Sequence, residues 1–235
     1  MNFTRIVPAG LLVFFSSYSI MDQYIEAWKR STNNKVTIWE RITQYKKPVL
    51  EPREGNFLNE MIDDFYKKIN DPEEKGAVFF AVCRGKVSEG LDFANDNGRA
   101  VIVTGIPFPA ATDQRVKLKQ LYLDSPDAKV LLKSGSVGNK PKTLTGNEWY
   151  KQQASRAVNQ AIGRVIRHRK DYGAIILCDE RFGAPQNRAQ LSAWLRPHTK
   201  VYTKFGEVTL GLTRFFKYAE ANFPPPPKVC YLSFH

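Results

Sequence analysis

Four residues near the end of a long helical pattern could contact a phosphate group. Gln160, Gly163, Arg164 and Arg167 follow an i, i+3, i+4, i+7 spacing, which predicts that they share one face of an α-helix. Arginine suits a phosphate because it stays charged and presents a rigid fork of donors. Two guanidinium groups one turn apart could reach the γ-phosphate of a nucleotide, while Gln160 could hold a water or a phosphate oxygen. Gly163 would let the ligand approach the backbone.

A solvated basic face on an amphipathic helix is the alternative interpretation of this pattern. Glycine costs a helix interior about 1 kcal/mol, so Gly163 at this position favours a functional reason. The apolar residues of the same segment form a separate stripe that we expect to pack into a core: Ala154, Ala157, Val158, Ala161, Ile162, Val165 and Ile166.

A second candidate site follows the apolar run 77–82, which predicts a buried strand. Arg84 and Lys86 flank Gly85, so a phosphodiester backbone could approach the main-chain N–H groups with positive charge beside it. The nearby Glu89 and Asp92 could accept a hydrogen bond from a ribose hydroxyl, a water or one of the two arginines. A glycine-containing surface turn of mixed charge is the alternative.

Other polar and aromatic residues follow predicted strands at the edge where open α/β sheets bind ligands. Ser16 and Ser17 come after the apolar run 10–15, and Thr104 ends the strand predicted at 100–104. The serines could contact a nucleic-acid backbone or simply cap the next helix, which we expect to begin near Ser19. Phe108 could stack on a base or fold back into the core, and the sequence slightly favours the core.

The pattern Gln160-x-x-Gly163-Arg164-x-x-Arg167 resembles motif VI of superfamily-two helicases. The longer run from Trp149 to Arg169 resembles the XPD-like iron–sulfur DNA helicases, and within that family the regulators of telomere elongation. The Fanconi anaemia group J helicases are near relatives. The resemblance extends from about residue 7 to about residue 216.

The resemblance implies roles for the candidate residues. Motif VI would be catalytic through Gln160, Arg164 and Arg167, and residues 83–93 resemble motif V. The nucleotide-binding residues would be Gly163, Glu89, Gly90 and Asp92. The DNA-binding residues would be Ser16, Ser17, Arg84, Gly85, Lys86, Thr104 and Phe108, with the two serines in motif IV.

The resemblance also implies a RecA-like, P-loop-NTPase-type α/β fold and the role of a second motor lobe. The chain contains no Walker A lysine, no Asp-Glu-Ala-His box and no four-cysteine cluster. In the family, the first lobe carries ATP, Mg²⁺ and the [4Fe–4S] cluster. We therefore expect half of a 5′ to 3′ DNA helicase, inactive alone, that works in the nucleus in telomere maintenance, DNA repair and recombination control. Its partners would be single-stranded and forked DNA and the N-terminal lobe.

Two other classes of protein are alternatives. An ATPase-deficient nucleic-acid-binding or protein-interaction module would bind DNA without regard to nucleotide, but it has no use for the Gln-Gly-Arg-Arg pattern. A complete small enzyme using Cys83 or His168 as nucleophile or base lacks partner residues at suitable positions.

Composition agrees with a nucleic-acid partner. Among the 235 residues, 35 Lys and Arg against 23 Asp and Glu give a net charge of +12, which favours a polyanion over a membrane. The three cysteines form no C-x-x-C pair and the three histidines are scattered, so we expect reduced thiols and no metal site. No stretch is apolar enough to span a bilayer. The apolar run 10–15 could mimic a signal peptide, but a buried strand fits it better.

Alternating strand and helix patterns predict a mostly parallel sheet covered by helices on both faces. We expect further strands at 49–50, at 173–179 as a central strand, and near 201–202. Helices are expected from Asn56, over 115–123, from about Asn147, and around Phe215. Residues 134–141 suggest a flexible loop. The domain would cover residues 1–222, and the Pro-rich segment 223–235 would be a stiff extended tail.

Overall fold

A computed structural model describes residues 1–33, 35–90, 93–126 and 144–223. Its centre is a five-stranded parallel sheet in the order β4-β5-β1-β6-β7. The strands are β1 (Leu11–Phe15), β4 (Lys47–Leu50), β5 (Ala77–Val82), β6 (Ala100–Val103) and β7 (Ala174–Leu177). A small antiparallel pair, β2 (Thr32–Asn33) and β3 (Val36–Thr37), lies apart from this sheet. The predicted α/β fold with a parallel sheet is confirmed.

The helices of the described residues lie before β1, between the strands and after β7. They are α1 (Asn2–Ile6), α2 (Tyr18–Arg30), α3 (Ile38–Thr43), α4 (Leu58–Asn70), α5 (Lys86–Gly90), α6 (Gln114–Asp124), α7 (Gly146–Ile162), α8 (Pro185–Arg188) and α9 (Phe205–Asn222). Short 3₁₀ segments lie at Gly55–Phe57, Asn95–Gly98, Glu180–Gly183 and Arg196–His198. In the described part of the chain, every helix is too short or too polar to cross a membrane.

Alternate residues of the strands pack into two separate hydrophobic cores, because successive side chains of a strand point to opposite faces of the sheet. One core joins Leu12, Phe14 and Phe79 to α4 and α7, and the other joins Leu11, Val13 and Phe80 to α2 and α9. Full burial of such side chains stabilises the fold by roughly 1.5–3 kcal/mol each. The sheet is therefore covered on both faces, as predicted.

Several predicted boundaries differ from the structure. The helix after β1 begins at Tyr18 with Ser17 as its N-cap, rather than near Ser19. Residues 55–57 form a 3₁₀ turn before α4. Strand β7 lies at the edge of the sheet, because only β6 pairs with it, and the segment at 201–202 is irregular. The loop predicted at 134–141 and the tail from residue 224 lie outside the described residues, so the domain boundary at 222 stays a prediction.

Candidate nucleotide and nucleic-acid interface

All five strands of the sheet end at the same edge because they run parallel. The structure brings Ser16 and Ser17 after β1, the turn 83–86 after β5, and Thr104 after β6 to this carboxyl edge. Strand β1 lies between β5 and β6, so these segments are neighbours. The predicted DNA-binding residues therefore share one edge of the molecule.

Two of the hydroxyl groups at this edge have local partners. The Ser17 side chain accepts a hydrogen bond from the Ile20 N–H at 3.3 Å and caps α2, so the helix-capping interpretation is correct for Ser17. The Thr104 hydroxyl donates to the Phe14 carbonyl at 3.2 Å and extends the pairing of β1 with β6. A hydroxyl can donate one hydrogen bond and accept two, so the Ser17 hydroxyl keeps a donor for a phosphate.

The turn after β5 is held from within the protein. The buried Glu51 carboxylate accepts the Val82 N–H at 2.7 Å and the Val87 N–H at 3.2 Å. The Gly85 N–H donates to the Val82 carbonyl at 3.0 Å. The Gly85 N–H is therefore occupied by a carbonyl of the protein, and the Glu51 carboxylate holds one N–H group at each end of the turn.

The side chains of this turn point outward instead. Arg84 and Lys86 are exposed, and Arg84 has a left-handed backbone with φ of 65°. A Cβ atom on Gly85 would lie 2.6 Å from an oxygen of Glu51, so the turn has no room for a larger residue. The cationic side chains of Arg84 and Lys86 are therefore groups that this turn can offer to a phosphate.

Phe108 lies in a layered arrangement of two rings and a guanidinium group. Its ring stacks on Tyr150, with centroids 5.3 Å apart and planes 16° apart, and the guanidinium carbon of Arg181 lies 5.7 Å from its centre. The Tyr150 hydroxyl donates to the Pro109 carbonyl at 2.8 Å, which fixes the pair. Phe108 is 37% exposed, so the expectation that it folds into the core is wrong.

Arg181 is a candidate site residue that the sequence did not identify. Two of its nitrogens donate to the carboxylate of Asp179, from Nε at 2.8 Å and from Nη2 at 2.5 Å. These hydrogen bonds lower the pKa of Asp179, which keeps the pair charged. Phe108, Tyr150 and Arg181 lie too far apart in the chain for a local pattern to link them.

A groove of about 650 Å³ opens beside this stack. The first half of α7 and residues 181–191 form its walls, and Lys151 and Arg181 supply positive charge. Aromatic rings beside cationic groups suit the bases and phosphates of a single strand. The groove therefore adds cationic and aromatic groups, which could contact single-stranded nucleic acid, to the carboxyl edge.

The motif VI residues do not share one helix face. Helix α7 ends at Ile162 with Gly163 as its C-cap, and Ile166 has a left-handed φ of 64°. Glycine is a poor helix former, and the helix ends at this position. Val165 is buried in the irregular segment that follows, where it packs against Gly173: a Cβ atom on Gly173 would lie 2.3 Å from the Val165 side chain. Arg164 and Arg167 therefore lie on an irregular segment, while Gln160 is exposed on the last turn of the helix.

Each motif VI arginine is oriented by a backbone contact. The Nε of Arg164, which is half-buried, donates to the Ser88 carbonyl in α5 at 2.9 Å. Arg167 is exposed, and its Nη1 donates to the Gly163 carbonyl at 2.8 Å. The Arg167 N–H donates to Asp171 at 3.0 Å, which ties the segment to the start of β7.

The structure therefore separates two groups of predicted site residues. Helix α7 runs from the carboxyl edge, where Tyr150 contacts Pro109, back to the amino end of β7, so Arg164 and Arg167 lie away from the carboxyl edge. The helix α5 links the two groups: Lys86 begins it at the carboxyl edge, and Glu89 and Gly90 end it, next to Ser88. Asp92 lies outside the described residues.

Within the described ranges, no three Asp, Glu, His or Cys side chains converge as metal ligands would. Cys83 is buried, and burial raises the pKa of its thiol to about 12, while Cys178 is exposed. These two thiols follow β5 and β7, which are not neighbouring strands.

Comparison with known proteins agrees with these observations. The family model described as the Helicase C-terminal domain matches residues 1–198. Regulator of telomere elongation helicase 1 homologues are similar: the Oryza sativa protein is 58% identical over 92% of this chain and the Arabidopsis thaliana protein 52% over 95%. The human Regulator of telomere elongation helicase 1 is 48% identical over 96%. This chain spans 21%, 21% and 18% of those three proteins, about a fifth of their length.

Solved structures support the same fold. A structure of an XPD helicase matches 80% of this chain with a TM-score of 0.50 and 24% identity, and the chain covers 28% of it. A structure of XPD in its apo form matches 80% of this chain with a TM-score of 0.52 and 23% identity, and the chain covers 32% of it. The RecA-like fold and the resemblance to the telomere-elongation regulators are therefore confirmed, and the chain belongs to the Helicase C-terminal domain family.

Proposed function

We propose that this chain is the second motor lobe of an ATP-dependent DNA helicase. The observation that carries the proposal is the position of Arg164. This residue follows the end of α7 at Gly163, and the carbonyl of Ser88, which precedes Glu89 in the chain, orients its side chain. The hydrogen bond from its Nε to a backbone carbonyl of α5 places this guanidinium on the irregular segment after the helix, next to the loop that resembles motif V. Together with the exposed Arg167, it can serve a phosphate supplied by another lobe.

The chemistry expected of the two arginines is transition-state stabilisation. ATP and Mg²⁺ would be held mainly by the first lobe, and the Arg164 and Arg167 side chains would close onto the γ-phosphate as its charge develops. Arginines in this role raise hydrolysis by about 10³–10⁵, or roughly 4–7 kcal/mol. Gln160 and Gly163 precede them at the end of α7, and an amide and a position without a side chain suit a water and a phosphate oxygen.

The carboxyl edge would hold single-stranded DNA. Arg84, Lys86 and Arg181 supply positive charge there, and the Phe108–Tyr150 pair supplies an aromatic surface. Contacts of this kind engage phosphates and the faces of bases, so they are indifferent to sequence. Lobe closure and reopening driven by hydrolysis would then move one lobe along the strand, with 5′ to 3′ polarity.

The biological setting follows from the relatives' names. We propose that the whole protein acts in the nucleus on single-stranded and forked DNA, in telomere maintenance, DNA repair and recombination control. Its [4Fe–4S] cluster would belong to the first lobe. The relatives named as regulators of telomere elongation support the telomeric role.

The test is single-strand-stimulated ATP hydrolysis by a protein that joins this chain to its first motor lobe. We expect Arg164→Ala to lower turnover by about 10³ or more while nucleotide binding is largely kept. Arg169→Ala is the matched control, because Arg169 is an exposed arginine on the same segment, and it should keep turnover within a few-fold. Unchanged turnover in Arg164→Ala would overturn the proposal and favour a nucleic-acid-binding module.

A further inference from the structure

Glu51 carries a buried charge that neither proposed site uses. It lies just after β4, with 4% of the residue exposed, and its two carboxylate oxygens accept the N–H groups of Val82 and Val87. Burial raises the pKa of this carboxyl, and the hydrogen bonds from the turn oppose that rise. A buried carboxylate costs free energy unless it is well paired, so its retention needs a structural reason.

The Glu51 carboxylate occupies the inside of the turn between β5 and α5. One oxygen binds the last residue of β5 and the other binds the second residue of α5, so a single side chain fixes both ends of the turn. Between these ends lie Arg84, with its left-handed φ of 65°, and Gly85. A left-handed non-glycine residue persists only where its surroundings hold it, and the Glu51 bridge supplies that constraint.

Gly85 fits this bridge closely. A Cβ at this position would lie 2.6 Å and 2.8 Å from the two Glu51 oxygens and 2.8 Å from the Val82 carbonyl oxygen. The carboxylate therefore lies against the backbone of the turn on its inner side, while the Arg84 and Lys86 side chains are exposed. The protein's own anion fills the inside of the turn and leaves the outside to the two cations.

We propose that Glu51 is a positioning residue, which holds the turn in the conformation that directs Arg84 and Lys86 together at the phosphates of single-stranded DNA. The inference rests on the proposed function, since it takes the carboxyl edge as the DNA contact. It assigns Glu51 no contact with DNA. Its effect is carried through the backbone of residues 82–87.

Two explanations of Glu51 predict opposite changes in DNA affinity. If Glu51 were only a negative charge near the DNA, Glu51→Gln would strengthen binding, because it removes a repulsion. If Glu51 positions the turn, Glu51→Gln weakens binding despite that gain, because an amide can accept at only one of its two ends. Glu54→Gln is the matched control: Glu54 is an exposed carboxylate three residues away, and its loss should leave affinity equal or slightly higher.

The experiment measures fluorescence anisotropy of a labelled oligothymidine against the full chain over a range of salt concentrations. Each phosphate contact on a single strand contributes about 0.7 to the slope of log affinity against log salt, so the Arg84→Ala, Lys86→Ala double variant should lose about 1.4. We expect Glu51→Gln to lose a similar amount. Adding Glu51→Gln to the double variant should then remove nothing further, because the groups it positions are already gone.

Two more variants separate positioning from damage to the fold. Glu51→Asp keeps the charge but is one methylene too short to bridge both N–H groups, so it should weaken binding like Glu51→Gln. Gly85→Ala places a Cβ atom against the Glu51 carboxylate and so displaces the turn, and it should also weaken DNA binding. Circular dichroism and thermal unfolding check that each variant is folded. Tighter binding by Glu51→Gln, or additive losses in the combined variant, would overturn the proposal.

Failure of the proposed function has a different signature. If the unmodified chain binds the oligothymidine with no contribution from Arg84 and Lys86, the turn after β5 is not part of the DNA contact. Amide hydrogen exchange then tests Glu51 without DNA: the Val82 and Val87 N–H groups should exchange about ten-fold faster or more in Glu51→Gln, since each loses a charged acceptor. Unchanged exchange at both amides would show that Glu51 does not hold the turn.

Discussion

Replacing Arg99 by methionine tests the buried ion pair that anchors the segment after α7. The Arg99 guanidinium is 2% exposed and donates to Asp171 at 3.0 Å, to Asp96 at 2.9 Å and to the Tyr172 carbonyl at 3.1 Å. Its carbon also lies 3.9 Å from the centre of the Tyr172 ring. Asp171, whose side chain is 1% exposed, in turn accepts the Arg167 N–H. Arg99 therefore holds the backbone of a motif VI arginine through one carboxylate.

The magnitude follows from the charge that the substitution leaves behind. Methionine replaces the length of the side chain but none of its donors, so the Asp171 carboxylate stays buried without its cation. Breaking a buried pair on one side costs about 3–5 kcal/mol. The free energy of unfolding of a domain is roughly 5–15 kcal/mol, so we expect the Arg99→Met variant to fold despite this loss. The midpoint of its urea unfolding should be lower by about 1–2 M.

Equilibrium urea unfolding, followed by circular dichroism, measures this loss. Arg181→Met is the matched control, because Arg181 pairs with Asp179 in a similar geometry but its side chain is 51% exposed, and such a pair contributes about 0–1 kcal/mol. Adding Asp171→Asn to Arg99→Met should recover part of the lost stability, since it removes the unpaired charge. Equal losses for Arg99→Met and Arg181→Met, or no recovery in the double variant, would refute burial as the cause.

Two further predictions concern other buried groups. Burial lowers the pKa of Lys46 to about 8, and its Nζ donates to the Ala9 and Lys75 carbonyls. The folded chain therefore loses this proton near pH 8, whereas the unfolded chain keeps it to about pH 10.4, so the unfolding free energy should rise by up to about 3 kcal/mol from pH 8 to 10.5 relative to Lys46→Met. Urea titration measures this rise, and a difference between the two proteins that does not change with pH would contradict it. Iodoacetamide at pH 8 should modify the exposed Cys178 before Cys83, because Cys83 is buried and its thiol pKa is raised to about 12. Mass spectrometry measures the order of modification, and finding Cys83 modified first in the native state would contradict it.

The sheet could be predicted because its strands leave a strong signal. Strands β1, β5 and β6 are fully buried between two helical layers, so each is a continuous apolar run. Strand β7 has the same composition but lies at the edge, with every second residue only partly buried. Composition alone does not distinguish a central strand from an edge strand, because strand order depends on pairing with distant residues.

The end of α7 could not be predicted from periodicity. Val165 continues the apolar stripe and is fully buried, but it reaches the core from an irregular segment after the helix has ended. Periodicity reports which residues are buried, and here burial continues for longer than the helix. Gly163 marked the change, yet its low helix propensity can be read either as a functional gap or as a helix end.

The buried charges lie beyond any local pattern. Glu51 finds its partners 31 and 36 residues later, and Arg99 binds Asp171 72 residues later. Taken alone, each reads as an ordinary surface charge, since unpaired Glu and Arg are seldom buried. The motif residues themselves could be found because family resemblance marks them directly, whereas the groups that position them are specified only by the folded chain.

Ser88 joins the two proposed sites through both of its polar groups. Its hydroxyl donates to the Gly85 carbonyl at 2.9 Å and its own carbonyl accepts Arg164 at 2.9 Å, and the residue is completely buried. The hydrogen bond from Arg164 to Ser88 therefore joins the segment after α7 to α5. Displacing Arg164 from α5 breaks a hydrogen bond made by a charged group, which costs about 1.5–3 kcal/mol. That cost favours movement of the motif VI arginine and the motif V turn as one unit, as the proposed coupling of phosphate contact to DNA contact requires.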